Sequence, residues 1–194
     1  MKITYIFDLD ETLVYSVWKK DKYVIHLRPY TKQLLRYFYV NQDKFNIGFW
    51  STGLDFYVEE VMKKLLKPYK DYPVKLLLGR TKKLIDVVNK DDKFKNEIPF
   101  IIDIQTGNTY YYTYYKNNIT KNIELLKYNR DFKDRFDKEI ILVDDLEPNI
   151  MGNKLKHIYA ISSWKNTRKD VELKILLDCI KKKKKCTRKK INVE

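Results

Sequence analysis

Glycine, proline, cysteine and histidine are all scarce in this chain of 194 residues, with five, five, two and two copies. So little Gly and Pro leaves no flexible linker, and the length fits one domain, or one domain with an insert. Cys179 and Cys186 make no disulfide framework and no metal-ligand spacing. Both are therefore expected to be free thiols in a reducing compartment, with Cys186 pushed towards thiolate by the lysines around it. His26 and His157 have no Cys or Ser partner in the pattern and are expected to be structural. No apolar run approaches the roughly 18 residues of a membrane helix, so no membrane span is expected. The start, MKITYIFDLDE, has no long apolar stretch before its first acids. A secretory signal is thus not expected, and the chain is placed inside the cell, in cytoplasm or nucleus.

What is abundant is positive charge. Lys plus Arg number 40 against 26 Asp plus Glu, a net charge of +14. Such an excess suits anionic partners: nucleic acid, a phosphorylated protein or an acidic membrane surface. Half of it, +7, lies in residues 181–194, where KKKKKCTRKK holds eight basic residues in ten. This tail is expected to be solvated, to be able to contact nucleic acid, and to serve equally as a nuclear localisation signal. The hydrophobic fraction of 44% argues for a folded core beneath that charge.

Apolar runs alternate with amphipathic ones. Lys2–Phe7, Phe45–Trp50, Ile140–Val143 and His157–Ile161 are expected to be buried strands, and Tyr23–Arg28 an alternating one. Tyr30–Tyr39, Leu54–Leu66 and Lys169–Ile180 carry apolar residues at helical spacing. This order predicts an α/β fold with a parallel sheet flanked by helices. The rhythm breaks from about 73 to 115, which is expected to be a mostly β insert. The insert ends in NTYYYTYY, five tyrosines in seven residues. They are expected to pack as a two-sided strand, although such a run also suits base stacking or peptide binding.

Three expected strand ends carry polar residues: Asp8-Leu9-Asp10-Glu11-Thr12, Ser51-Thr52-Gly53 and Asp144-Asp145. In an open parallel sheet the ligand site lies at the carboxyl ends of the strands, so these distant residues should converge. Clustered carboxylates would repel one another and a phosphate, so a lysine is needed. Lys116 is the first candidate and Lys121 the second. Phosphoryl transfer is the chemistry that uses such a set. It needs an aligned nucleophile, neutralised phosphate oxygens and a protonated leaving group. Asp8 can attack phosphorus, and Asp10 can protonate the leaving oxygen and then deprotonate water. Mg²⁺ on the carboxylates would balance the charge. Ser51 and backbone N–H groups before the next helix would hold phosphate oxygens.

With these residues in place, DLDETLVYS resembles the first motif of the haloacid dehalogenase superfamily. More narrowly, it resembles the phosphatases of the RNA polymerase II C-terminal domain, the NLI-interacting-factor family. HLRPY resembles the family's Arg-Pro opening its first helix, and FWSTGL with Tyr57 resembles its second motif. Tyr115-Lys116-Asn117 resembles the third, with Asn117 where the family usually has Asp. ILVDDLEPN resembles the fourth, and Ser163-Trp164 with Asp170 and Leu173 a late Ser-Trp and its helix. The resemblance covers roughly residues 2–180. It implies a Rossmann-like haloacid dehalogenase fold and a Mg²⁺-dependent phosphatase of phosphoserine or phosphothreonine in proteins, with Asp8 as nucleophile and Asp10 as acid and base. It implies a metal site drawn from Asp8, Asp10, Asp144 and Asp145, held by the Asp8 side chain, the Asp10 carbonyl and Asp145. Thr12 would support the nucleophile loop. Ser51, Thr52, Gly53, Arg80 and Lys116 would face the substrate. A nucleic-acid end phosphatase and a non-catalytic phosphopeptide or nucleic-acid adaptor are the alternatives. Retention of both Asp8 and Asp10 speaks against the adaptor.

Overall fold

A computed structural model describes residues 2–69, 71–81, 100–111, 113–115, 118–128, 132, 139–183 and 185–188. Strands β1 (Ile3–Phe7), β4 (Phe45–Leu54), β5 (Val74–Arg80), β10 (Glu139–Asp144) and β11 (Ile158–Ala160) run parallel in one sheet. Strands β6 (Phe100–Asp103) and β7 (Thr109–Tyr111) extend it antiparallel, giving the order β11-β10-β1-β4-β5-β6-β7. Two small ladders stand outside it: the hairpin β2 (Val14–Lys19) with β3 (Lys22–Leu27), and β8 (Thr113–Tyr115) with β9 (Asn118–Thr120).

Strand β1 shows why this is a three-layer α/β fold. A strand's side chains alternate between faces. Tyr5 and Phe7 enter one apolar layer with Leu34, Phe38, Val61 and Leu176, whereas Ile6 enters the other with Ile123, Leu126 and Ile150. Helices α1 (Thr31–Val40), α2 (Asp55–Leu66) and α5 (Glu172–Lys183) cover the first face; α3 (Ile123–Tyr128) and α4 (Glu147–Ile150) lie with the second. Both faces being covered, β1 and β10 read as continuous apolar runs. Phe7 is fully buried directly before Asp8, and its truncation to Ala should cost about 3–5 kcal/mol.

Three expectations are corrected. Val74–Arg80 pairs parallel with β4, so the residues from 73 to 80 belong to the central sheet rather than to an insert. β6 and β7 continue that same sheet, while the charged stretch Asn89–Glu97 lies outside the described residues. Second, Cys179 and Cys186 are not free thiols. They form a disulfide, with Cα atoms 6.1 Å apart, because the chain turns back after α5 and buries Cys186 against the core. Third, the described part of the basic tail is folded rather than free, although Lys181–Lys183 remain exposed. Lys181–Lys183 finish α5. Lys185 pairs with Glu139, the Cys186 N–H donates to the Tyr5 hydroxyl at 3.1 Å, and Arg188 bonds Ala160 and Glu172 over the Tyr159 ring. Among the described residues no helix is long and apolar enough to cross a membrane.

Candidate active site

The parallel strands bring their carboxyl ends to one edge. Asp8 follows β1, and its N–H donates to the Val143 carbonyl at 2.9 Å, which carries the β1–β10 ladder one step further and sets Asp8 beside Asp144. Between Asp8 and β2 the chain makes a tight turn, closed by the Leu13 and Val14 N–H groups on the Leu9 carbonyl at 2.8 and 3.0 Å. Glu11 sits in this turn at φ 58°, a left-handed conformation that costs a non-glycine residue roughly 1–2 kcal/mol. Its carbonyl is held by the Trp164 N–H at 2.8 Å and by Arg28 at 3.0 Å, which offset that cost.

Arg28 braces the whole turn. Its side chain is fully buried and pairs with Asp170 through Nε at 2.9 Å and Nη2 at 2.7 Å. It also donates to the carbonyls of Glu11, Thr12 and Ser162. This fork ties the Asp8–Val14 turn to the segment that precedes α5. Arg28 and Asp170 entered the sequence reading only as motif matches, and their partnership was not legible there.

Asp8, Asp144 and Asp145 are buried, with one oxygen of each within 4.8 Å of the others. Lys121, fully buried, spans two of them: its Nζ lies 2.5 Å from Asp8 Oδ1 and 2.6 Å from Asp144 Oδ2. Among the described residues Lys121, the second sequence candidate, is the lysine set between these carboxylates; Lys116 lies outside the described residues. The Lys121 N–H on the Asn149 carbonyl (2.7 Å) and Asn153 Nδ2 on the Lys121 carbonyl (3.0 Å) fix its backbone. Flanked by two carboxylates, the ammonium stays protonated despite its burial. Burial raises the Asp8 carboxyl well above its ordinary value; Lys121 opposes that rise, and Asp144 and Asp145 add to it.

Asp144 and Asp145 have different tasks. Asp144 is spent on structure: it accepts from Lys121, from the Leu146 N–H at 2.9 Å and from Asn149 Nδ2 at 3.1 Å. Asp145 accepts from the Thr12 hydroxyl through Oδ1 at 3.0 Å, while its buried Oδ2 has no hydrogen-bond partner among the described residues. Burial first, then Asp144, push its carboxyl up to about 6. Three buried carboxylates, one ammonium and an orphaned oxygen fit a divalent cation, and Asp8 and Asp145 are the side chains in position to hold it. Asp144 is engaged elsewhere.

Asp10 is raised by burial, while its hydrogen bond from the Tyr57 hydroxyl opposes the rise. That hydroxyl also lies 2.7 Å from Ser16 Oγ on β2, and the Tyr57 ring packs on Tyr23 of β3 with centroids 4.5 Å apart. Sequence reading saw Tyr57 only behind a motif; its helical spacing with Val58, Val61 and Leu65 hides its role among core residues.

Ser51, Thr52 and Gly53 lie within β4, which runs to Leu54, and not in the loop expected before a helix. The ladder with β5 is irregular between Trp50 and Leu54, which frees this stretch from regular pairing. Ser51 is buried and its Oγ accepts the Gly53 N–H at 2.9 Å. A Cβ on Gly53 would stand 2.8 Å from the Tyr57 ring, so the close approach requires glycine. Thr52 lines a cleft of about 240 Å³ together with Asp8, Asp10, Glu11, Asp145 and Lys165. Arg80 ends β5 at the same sheet edge, in register with Leu54, but is not among the residues that line this cleft.

No curated protein matches the chain. A family model does match it, over residues 3–96, a stretch that includes Asp8, Asp10, Thr12, Arg28 and Ser51. That model describes NLI interacting factor-like phosphatases, a family of the haloacid dehalogenase superfamily, and residues 3–96 are similar to it.

Proposed function

We propose that the chain is a Mg²⁺-dependent phosphatase of phosphoserine or phosphothreonine in a protein, acting through an aspartyl-phosphate on Asp8. The observation that carries this reading is Lys121 clamped between Asp8 and Asp144 beside the orphaned oxygen of Asp145. The match of residues 3–96 to a phosphatase family supports the reaction class. The protein side of the substrate follows from the sequence's resemblance to phosphatases of the polymerase tail.

Lys121 holds Asp8 Oδ1 and leaves Oδ2 as the attacking oxygen. Attack forms the Oδ2–P bond as the ester P–O bond breaks, and the Asp10 proton goes to the departing serine or threonine oxygen. Water then attacks phosphorus and gives its proton to Asp10. The P–Oδ2 bond breaks, which releases phosphate and restores both aspartates. The raised Asp10 carboxyl suits a group that must start protonated, and Tyr57 fixes which of its oxygens faces the leaving group. The Ser51 hydroxyl, accepting from Gly53, keeps its own hydrogen to donate to a phosphate oxygen. Mg²⁺, held by Asp8, Asp145 and the Asp10 carbonyl, would neutralise the carboxylates and the phosphate oxygens.

The test is turnover of p-nitrophenyl phosphate, then of a phosphoserine peptide against 3′- and 5′-phosphorylated oligonucleotides. Mg²⁺-dependent turnover lost in Asp8→Asn, with the peptide preferred, is the expected result. Absence of turnover would overturn the enzyme reading, and preference for an oligonucleotide would overturn the protein one.

A further inference from the structure

The cleft over Asp8 has an unusual charge pattern. Four of its described lining residues are carboxylates, Asp8, Asp10, Glu11 and Asp145; Lys165 is the one cation in that lining. Lys121 stands behind them and is committed to Asp8 and Asp144. Among the described residues that line the cleft, the positive charge open to a substrate is therefore that of Lys165. Lys165 lies beyond the segment that the family model matches.

The loop that presents Lys165 is built with care. Its start is held by Arg28 on the Ser162 carbonyl at 2.7 Å, and its end by the Arg28–Asp170 pair. In the middle the buried Trp164 donates its N–H to Glu11 and its indole N–H to the Thr167 carbonyl at 2.9 Å. Asn166 takes φ 60°, a left-handed turn that asparagine tolerates well. Lys165, Arg168 and Lys169 point out of this anchored frame, all exposed. The Lys165 ammonium pairs with Glu11, which Ser163 also holds, so the cation is parked at the rim by a carboxylate of the cleft. An arriving anion can displace Glu11, because the lysine side chain is 64% exposed. The frame does not have to order itself at that moment, which lowers the entropic cost of binding.

We propose that Lys165, backed by Arg168 and Lys169, is a specificity-determining anion subsite, which selects phosphopeptides with a second acidic or phosphorylated residue beside the phosphoresidue. The inference rests on the phosphoprotein reading above. It gives part of the core's positive charge a task at the mouth of an otherwise acidic cleft.

The test uses the full chain and three peptides identical except beside the phosphoserine: alanine, glutamate or a second phosphoserine. A 3′-phosphorylated oligonucleotide is run alongside. The native protein is expected to favour the doubly anionic peptides by about tenfold in kcat/KM, through KM, and to lose that preference as salt is raised. Lys165→Met should bring the ratio close to one, and Lys165→Arg should keep most of it. A ratio near one in the native protein, or one unchanged in Lys165→Met, would overturn the subsite. A Lys165-dependent preference for the oligonucleotide would overturn its assignment to peptides. If no phosphoester is turned over, the phosphatase reading fails. Calorimetry of the same peptides on Asp8→Asn, with and without Lys165→Met, then decides the subsite by itself.

Discussion

Replacing Lys121 by methionine removes an ammonium that separates two buried carboxylates. In the native fold its Nζ sits 2.5 Å from Asp8 and 2.6 Å from Asp144, and its side chain has no exposure. Taking one partner from a buried ion pair costs about 3–5 kcal/mol, because the remaining charge is left uncompensated. In a domain of this size each kcal/mol moves Tm by about 2–4 °C, so a fall of roughly 6–20 °C is expected at pH 8 in EDTA. The loss should depend on pH with a definite sign. Without Lys121 the Asp8 carboxyl, already raised, rises further. The folded variant then holds a proton that the unfolded chain has released, so its stability falls as pH rises through that window and recovers as pH is lowered. Thermal melts of both proteins at pH 8 and pH 5 should show the gap narrowing in acid. Turnover should drop by at least about a thousandfold, since Asp8 loses both its charge balance and its orientation. A variant that melts with the native protein at pH 8 and turns over normally would refute this placement. So would loss of turnover in Lys116→Met with Lys121→Met intact.

Four further outcomes follow from the same structure. Asp145 holds its proton up to about pH 6 against an ordinary 3.8. Mg²⁺ must displace that proton, so its affinity by calorimetry should rise at least about tenfold from pH 5 to pH 7, and Asp145→Asn should weaken this dependence, with Asp8 left as the raised ligand. The metal-free fold should itself lose stability as pH rises from about 4 to 6, because over that window only the folded chain keeps the proton. Arg28→Met should destabilise by about 3–5 kcal/mol in denaturant titrations, since it strands Asp170 and three carbonyls, and an Asp170→Asn change should cost less. Reducing the Cys179–Cys186 bond, which spans seven positions, should cost about 2.5 kcal/mol and lower Tm by roughly 5–10 °C, with Cys186→Ser giving the same melt with or without reductant.

The site's acids were legible in the sequence because a buried parallel strand leaves a plain trace: a short apolar run that stops at a polar residue. Asp8, Ser51 and Asp144 were each found that way. What was hidden depends on long-range contact. Lys121 follows a three-residue strand and carries no periodic cue; its contacts with Asn149, Asn153 and the two carboxylates are what set it in the site. Arg28 reads as a charge at a strand end until Asp170, 142 positions away, closes on it. Strand β2 was missed because its turn lacks the usual signal. Lys20 and Asp21 take φ 47° and 59°, where glycine or asparagine would announce a hairpin. The disulfide was missed because two cysteines seven apart mean little until the helix between them stops and the chain folds back. Net charge misled in the same way: a basic tail looks solvated until Arg188 is seen bonded to Ala160 and Glu172.

The most direct test of the central claim is to look for the phosphoryl group on Asp8. Asp10→Asn should slow hydrolysis of the intermediate, since Asp10 must take the proton from water. With Mg²⁺ and an activated phosphate ester, mass spectrometry of that variant is expected to find a hydroxylamine-labile phosphoryl group on the peptide holding Asp8, absent when Asp8→Asn is added. Turnover by the native protein, with no such adduct in the variant, would contradict the account.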